Sequence, residues 1–324
     1  MLTTLKNKVR GFISRDEALV LTYHSVHRRS LPFPVWHHMD LERFEEQIAC
    51  IARKYHCVST SQLLADMQRG RLQPYSVVVT FDDGFANNLH VALPILKRYG
   101  VPATFFLTAG TIGSQQPLWS ERLALILELA QQPEVTHRGQ QLSLHDAPGK
   151  SRSYRAMVGI CKSLAPEEIS PCLESFAQAV GVSDEAMRAH PYWDQYRMLS
   201  WQEAAILQQS ELVEFGAHTV THSVLSRLSK ESAWEEVAGS KRMLEEHLKP
   251  VAYFAYPHGG RADFKPEHRQ MAIDAGYTAV FTAESACVKH TTDVFAIPRL
   301  GVGGEMALNQ FEYALHGGVA VSSH

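Results

Sequence analysis

Along the chain, short apolar runs alternate with stretches whose apolar residues recur at helical spacing. This alternation predicts βα units around a mainly parallel sheet. Residues 18–23 (ALVLTY) read as a first strand, and Asp40 opens a helix that runs to about residue 53. A shorter helix follows over 61–67. Residues 76–80 (SVVVT) form a β-branched strand suited to burial on both faces. A helix over 87–99 stops at Gly100 and carries Pro94 as a candidate kink. Residues 103–107 (ATFFL) make the next strand.

The pattern then breaks. Residues 111–198 hold helical stretches, a Gln-rich turn and a polar loop (HRGQQLSLHDAPGKSRS), which together read as a helical insertion. Regularity returns at Ser200, where Ser200-Trp201-Gln202-Glu203 is a capping box. Further elements are strand 213–217, a long amphipathic helix over 229–247 and strand 252–256. A helix over 266–275 ends at Gly276, and strands 278–281 and 294–297 complete the set. Seven or eight strands, most followed by a helix, predict an α/β fold: a distorted (β/α) barrel. A doubly wound nucleotide fold would need a GxGxxG turn after its first strand, and none is present. The expected organisation is one catalytic domain over 1–324 with 111–198 inserted into it.

Composition narrows the function classes. Of 324 residues, 45% are hydrophobic and 20% charged, which is ordinary for a soluble globular chain. A net charge of −3 supplies no basic field for nucleic acid. Five scattered cysteines form no CxxC pair and read as thiols in a reducing compartment. The first twenty residues hold no apolar run of signal-peptide length, and no stretch is long enough to span a bilayer. The expected location is cytoplasmic. The basic N-terminal dozen reads first as solvated charge, with peripheral contact with the inner membrane surface as the alternative.

Two strand ends carry candidate chemistry. In Val77-Val78-Val79-Thr80-Phe81-Asp82-Asp83-Gly84 an apolar strand runs into adjacent carboxylates and a glycine. Neighbouring side chains at a strand end diverge, so one carboxylate can bind a metal while the other faces substrate. A plain Asp-Asp-Gly turn is the simpler alternative. In Phe215-Gly216-Ala217-His218-Thr219-Val220-Thr221-His222 two histidines stand four residues apart. Two histidines and one aspartate from two strand ends make a facial set with open positions. Zn²⁺ suits it, although Fe²⁺, Co²⁺ and Ni²⁺ also bind such donors. A metal beside an ionised carboxylate, without a phosphate loop or a nucleophilic serine, suggests hydrolysis of a carbonyl compound.

At these residues the sequence resembles the polysaccharide deacetylases, the family with the NodB-type catalytic domain. TFDDG and HTVTH match its first two motifs in order, and the likeness runs from LTYHSV near Ala18 to PRLGV near Val302. The resemblance implies a distorted (β/α) barrel, a divalent metal (usually zinc) and hydrolysis of the amide of an N-acetylated sugar. It implies that Asp82 is the base and that Asp83, His218 and His222 are the ligands.

The third motif reads Phe254-Ala255-Tyr256-Pro257-His258-Gly259, with alanine where many members carry arginine. That departure resembles the branch of bacterial exopolysaccharide deacetylases. Tyr256, Pro257 and His258 are expected to wall the substrate site, and Arg299 in FAIPR to supply the missing positive charge near Asp82. The family's fourth and fifth motifs have no match here, which leaves the proton donor open. His24 follows the first strand and is the leading candidate, ahead of His258 and His316. Trp119 reads as a packing residue, and Trp36-His37-His38-Met39-Asp40 as a loop and helix cap. The expected substrate is an acetylated amino sugar in a glycan or glycan precursor of surface polysaccharide biosynthesis. A non-sugar amide hydrolase and a catalytically silent carbohydrate-binding homologue are the alternatives.

Overall fold

The computed structural model describes residues 16–29, 31–114, 116–248 and 250–315. The basic N-terminal stretch and His316 lie outside the described residues. The main sheet runs in the order Ala279–Phe281, Val251–Ala255, Val213–Ala217, Ala103–Leu107, Ser76–Phe81, Glu17–Tyr23 and Val288–Lys289. All of these neighbours pair in parallel except the last, which is antiparallel. Ile297 bridges to Phe281 at one side of the sheet, and Leu300 pairs with Leu21 at the other. The short segment 297–301 therefore joins the two sides, and the sheet curls into a distorted (β/α) barrel.

Alternate strand residues face opposite ways. Ala18, Val20, Val78, Phe106, Ala255 and Phe281 meet in one apolar cluster inside the barrel. Leu19, Leu21, Val77 and Val79 pack instead with residues of the surrounding helices, such as Phe44 and Leu96. Burial on both faces explains why these strands are apolar throughout.

The structure corrects several sequence expectations. The helix expected over 87–99 is a π-turn, Asn88–Ala92, followed by Leu93–Tyr99. Pro94 has no N–H to give the His90 carbonyl, and the Arg28 guanidinium donates to it instead at 2.8 Å. The helix expected over 229–247 likewise contains a π-turn, Glu235–Gly239. Residues 294–297 form no continuous strand. Val280 donates to the Val294 carbonyl and Ile297 to the Val280 carbonyl, and regular pairing resumes only at Leu300–Gly301. Pro298 lacks an N–H and interrupts the ladder.

Residues 111–198 are more ordered than the expected polar loop. They hold helices Trp119–Leu129, Ala147–Ser163, Pro166–Ala179 and Asp184–Arg188, with a hairpin of Glu134–His137 and Gln140–Ser143. Arg138 and Gly139 turn the hairpin with φ of 47° and 75°, and Asp146 caps the helix that follows. Leu123, Ile126, Leu142, Met157 and Phe176 form their own apolar cluster with Phe33 and Val35. Among the described residues, no helix is long and apolar enough to cross a membrane.

Candidate metal and catalytic site

Val78, Thr80 and Asp82 alternate toward the barrel interior, so Asp82 emerges at the C-terminal mouth of the barrel, where such folds place their chemistry. Arg299, on the closing segment, fills that mouth and is 2% exposed. Its two terminal nitrogens donate to Asp82 Oδ1 and Oδ2 at 2.7 and 2.8 Å, and its Nε donates to the Thr282 carbonyl at 3.0 Å. The guanidinium also lies 5.2 Å from the Phe106 ring centroid. Burial alone would raise the Asp82 carboxyl pKa. The charge and hydrogen bonds of Arg299, together with the His218 and His24 imidazoles, outweigh burial and hold it below the usual carboxylate value.

Asp83 takes a left-handed backbone, φ 78°, and Gly84 follows at φ 93°. The bend turns the second carboxylate away from the first. A side chain at Gly84 would place its Cβ 2.8 Å from Ile112 Cδ1. Thr219, His222 and His258 are also left-handed, at φ 65°, 62° and 60°. Among the described residues, four of the six such non-glycine positions thus gather at one site, as strained backbone does where geometry serves function.

His218 ends the Val213–Ala217 strand. Its Nδ1 donates to the Ala255 carbonyl at 2.8 Å, which leaves Nε2 with a free lone pair. That Nε2 lies 3.7 Å from Asp83 Oδ1, and His222 Nε2 lies 3.3 Å from the same oxygen. The 218–222 loop is held from behind by Glu236, whose Oε2 accepts from the Val220 and Thr221 amides at 2.8 and 2.9 Å.

One donor atom from each of Asp83, His218 and His222 lies within 4.8 Å of the others. Donors around a tetrahedral zinc ion stand about 3.3 Å apart, close to the separations here. Asp83 Oδ1 is buried without a hydrogen-bond partner, and the carbonyl behind His218 fixes its tautomer for ligation. These residues fit a divalent metal. Burial would raise the Asp83 pKa, but His222 and the neighbouring imidazoles hold it far below the carboxylate range.

His24 sits at the same mouth, with Trp36 against its ring at 5.3 Å and Nδ1 buried without a partner. Burial pushes its pKa down to about 4, against the pull of Asp83 and Asp82. His258 is partly open, its ring 5.1 Å from His222, and burial lowers its pKa as well. Pro257 is buried, and its carbonyl accepts from the Gly259 amide. The Tyr256 ring does not wall the site as expected. It is 1% exposed and stacks on Phe264 at 4.1 Å, so it supports the loop from the core. Trp119 packs against the insertion cluster.

Sequence reasoning missed two sets of residues. Glu236 gave no local signal, because its partners lie on a distant loop. His37 and His38 are not a plain loop: His38–Asp40 pairs with Ser25–His27, and both imidazoles meet the buried carboxylate of Glu121. The adjacency of two histidines was visible, but their partner came from the insertion.

Comparison with known proteins agrees with this fold. A family model described as polysaccharide deacetylase matches residues 69–280. A 47-residue stretch is 43% identical to YxkH of Bacillus subtilis (strain 168), covering 14% of this chain and 17% of that protein's length. The deacetylase PplD of Streptococcus pyogenes, solved in complex with acetate, aligns with a TM-score of 0.61 at 16% identity. That alignment covers 93% of this chain and 99% of PplD. IcaB of Ammonifex degensii aligns with a TM-score of 0.57 at 19% identity, over 94% and 97% of the two chains. At such identities these structures speak for a shared fold. With the family model spanning well over half of the sequence, the chain belongs to the polysaccharide deacetylase family.

Proposed function

We propose that this protein is a metal-dependent hydrolase that removes N-acetyl groups from an N-acetylhexosamine-containing glycan or glycan precursor, in surface polysaccharide biosynthesis. The observation that carries this reading is a carboxylate kept ionised by Arg299 beside the His218–His222–Asp83 set. Acetate in the PplD complex supports the same acyl product here.

Zinc suits the two nitrogen donors and one oxygen donor. A divalent metal held by Asp83, His218 and His222 would polarise the acetyl carbonyl and acidify a water molecule. Asp82 Oδ2, 3.8 Å from His218 Nε2, accepts the proton of the attacking water. Arg299 fixes the orientation of that carboxylate and keeps it anionic before the proton arrives. His24 gives a proton to the departing amine. His258 and Pro257 shape the sugar's side of the mouth. Residues 111–198 are an insertion within this one catalytic unit, a reading supported by Phe33 and Val35 reaching into its core.

The test is acetate release from a panel of polymeric, lipid-linked and nucleotide-linked N-acetylhexosamines by zinc-loaded protein, with Asp82→Asn as the control. Asp82-dependent acetate supports the proposal, and no acetate from any member of the panel refutes it. Stoichiometric metal without turnover would instead indicate a silent carbohydrate-binding homologue. Turnover confined to non-sugar amides would indicate a different hydrolase on this scaffold.

A further inference from the structure

A second group of ionisable side chains adjoins the site, and no step above uses it. Glu121, in the first turn of the Trp119–Leu129 helix, is wholly buried. Its two oxygens accept from two consecutive residues: His37 Nε2 on one side, and His38 Nε2 at 2.7 Å on the other. His38 is sealed in, its ring stacked on His27 at 4.3 Å. The His37 side chain stays 14% open. Its ring lies 6.0 Å from that of His24 and 6.5 Å from that of Phe85, two residues beyond Asp83.

The groups facing His37 are Glu121, His38, His24, Asp83 and Tyr154. Burial opposes charge on every member of the cluster. For Glu121 the two imidazoles outweigh burial and draw its pKa well below the ordinary range. Burial lowers the His37 pKa, but the charge and hydrogen bond of Glu121, with the charge of Asp83, more than restore it, and the net direction is upward. For His38 burial prevails and its pKa stays lowered. Negative charge is thus favoured on Glu121 and positive charge on the partly open His37 ring, and disfavoured on His38. Such a compensated pair is the form in which charge survives burial.

We propose that His37, positioned by Glu121, is the proton reservoir of the site and recharges His24 during turnover. This inference rests on the deacetylase reading above. The N–H bond of His37 that breaks is on Nδ1, the nitrogen Glu121 does not hold, and an N–H bond forms on His24. The proton already on His24 passes to the amine nitrogen as its bond to the acetyl carbon breaks. His37 ends neutral, still bonded to the Glu121 carboxylate, and regains a proton from solvent along its open edge. No electrons change hands beyond these bonds.

The same three residues are a metal-ligand set by type, with donor atoms within 4.8 Å of one another. Their geometry favours protons. The nitrogens stand at hydrogen-bond distance from the carboxylate oxygens, and His38 Nδ1 is buried with no group behind it. A ligating histidine normally has such a support, as His218 has in the Ala255 carbonyl.

The test uses the full chain, with Glu121→Gln and His37→Asn variants, and pairs imidazole NMR titration with kcat–pH profiles. In the unmodified protein His37 titrates above the usual value of about 6.5, and Glu121→Gln lowers it by about one unit or more. The alkaline limb of kcat moves to lower pH in Glu121→Gln with KM little changed. In His37→Asn, kcat at neutral pH falls by on the order of 10²-fold, the scale of general acid catalysis. An unmoved limb, with rates reduced equally at all pH values, overturns the proposal as a merely structural effect. Two metal ions per chain, falling to one in Glu121→Gln, overturn it in favour of a second metal site. If Glu121→Gln fails to fold, His37→Asn decides by whether the limb disappears. If no substrate is turned over, the deacetylase reading falls, and the NMR titration still reports whether the His37–Glu121 pair exists.

Discussion

Arg299 places both ends of its guanidinium on both oxygens of Asp82, at 2.7 and 2.8 Å, across 217 residues of chain. Removing one partner strands the other charge in the barrel interior. Arg299→Met is expected to cost about 3–5 kcal/mol of stability. Arg299→Lys is expected to recover part of that loss but not the activity, because an ammonium cannot hold both oxygens in plane. Urea denaturation alongside acetate release measures both. A neutral Arg299→Met would show that the pair contributes nothing to folding.

The same pair sets a pH dependence. The Asp82 pKa is lower in the folded protein than in the unfolded chain. Its stabilisation is therefore complete above the unfolded value of about 3.9, and is lost as pH falls through the folded value. Between pH 5 and 3 the unmodified protein should lose stability more steeply than the Asp82→Asn variant. Denaturant midpoints across that range give the comparison, and parallel curves would contradict it.

Glu236 touches none of the three candidate ligands, yet its carboxylate holds the amides between His218 and His222. Glu236→Gln should weaken metal binding by about 10–100-fold while leaving one site per chain, as is usual when the support behind a ligand is cut. Competition with a chromophoric chelator reads the affinity directly. An unchanged affinity would mean that the loop keeps its shape without this support.

Gly84→Ala combines an unfavourable φ of 93° with a Cβ contact of 2.8 Å to Ile112 Cδ1. The expected cost is about 1–3 kcal/mol, together with displacement of Asp83 and reduced metal occupancy. Thermal unfolding and elemental analysis of the purified variant test the two halves separately. A variant that keeps both stability and metal would show that the turn tolerates a side chain.

Much of this could be read along the sequence because the information was local. The TFDDG strand end, the 218–222 histidine spacing and the Ser200–Glu203 capping box each lie within eight residues. All three appear in the structure, the last with Ser200 Oγ accepting from the Glu203 amide at 3.1 Å. Arg299 was legible through the family resemblance, in which many members carry an arginine where Ala255 stands, and FAIPR offered another at a later strand end. What stayed hidden depended on distant partners. Glu121 meets His37 and His38 across more than eighty residues, and Glu236 reaches its loop across fifteen or sixteen. Tyr256 misled for a related reason: a tyrosine beside a strand end reads as a site wall until packing against Phe264 turns it inward. The Arg138–Gly139 hairpin escaped because arginine is an unusual first residue for a tight left-handed turn.

The segment 297–301 both closes the barrel and carries the counter-charge of the base. Translation delivers it late. At about 5–20 residues per second, Asp82 leaves the ribosome roughly 10–40 seconds before Arg299. During that interval the nascent sheet has an open seam, and its carboxylate stays in water. A message truncated between codons 222 and 299 would yield a chain with every candidate metal ligand and no counter-ion for its base.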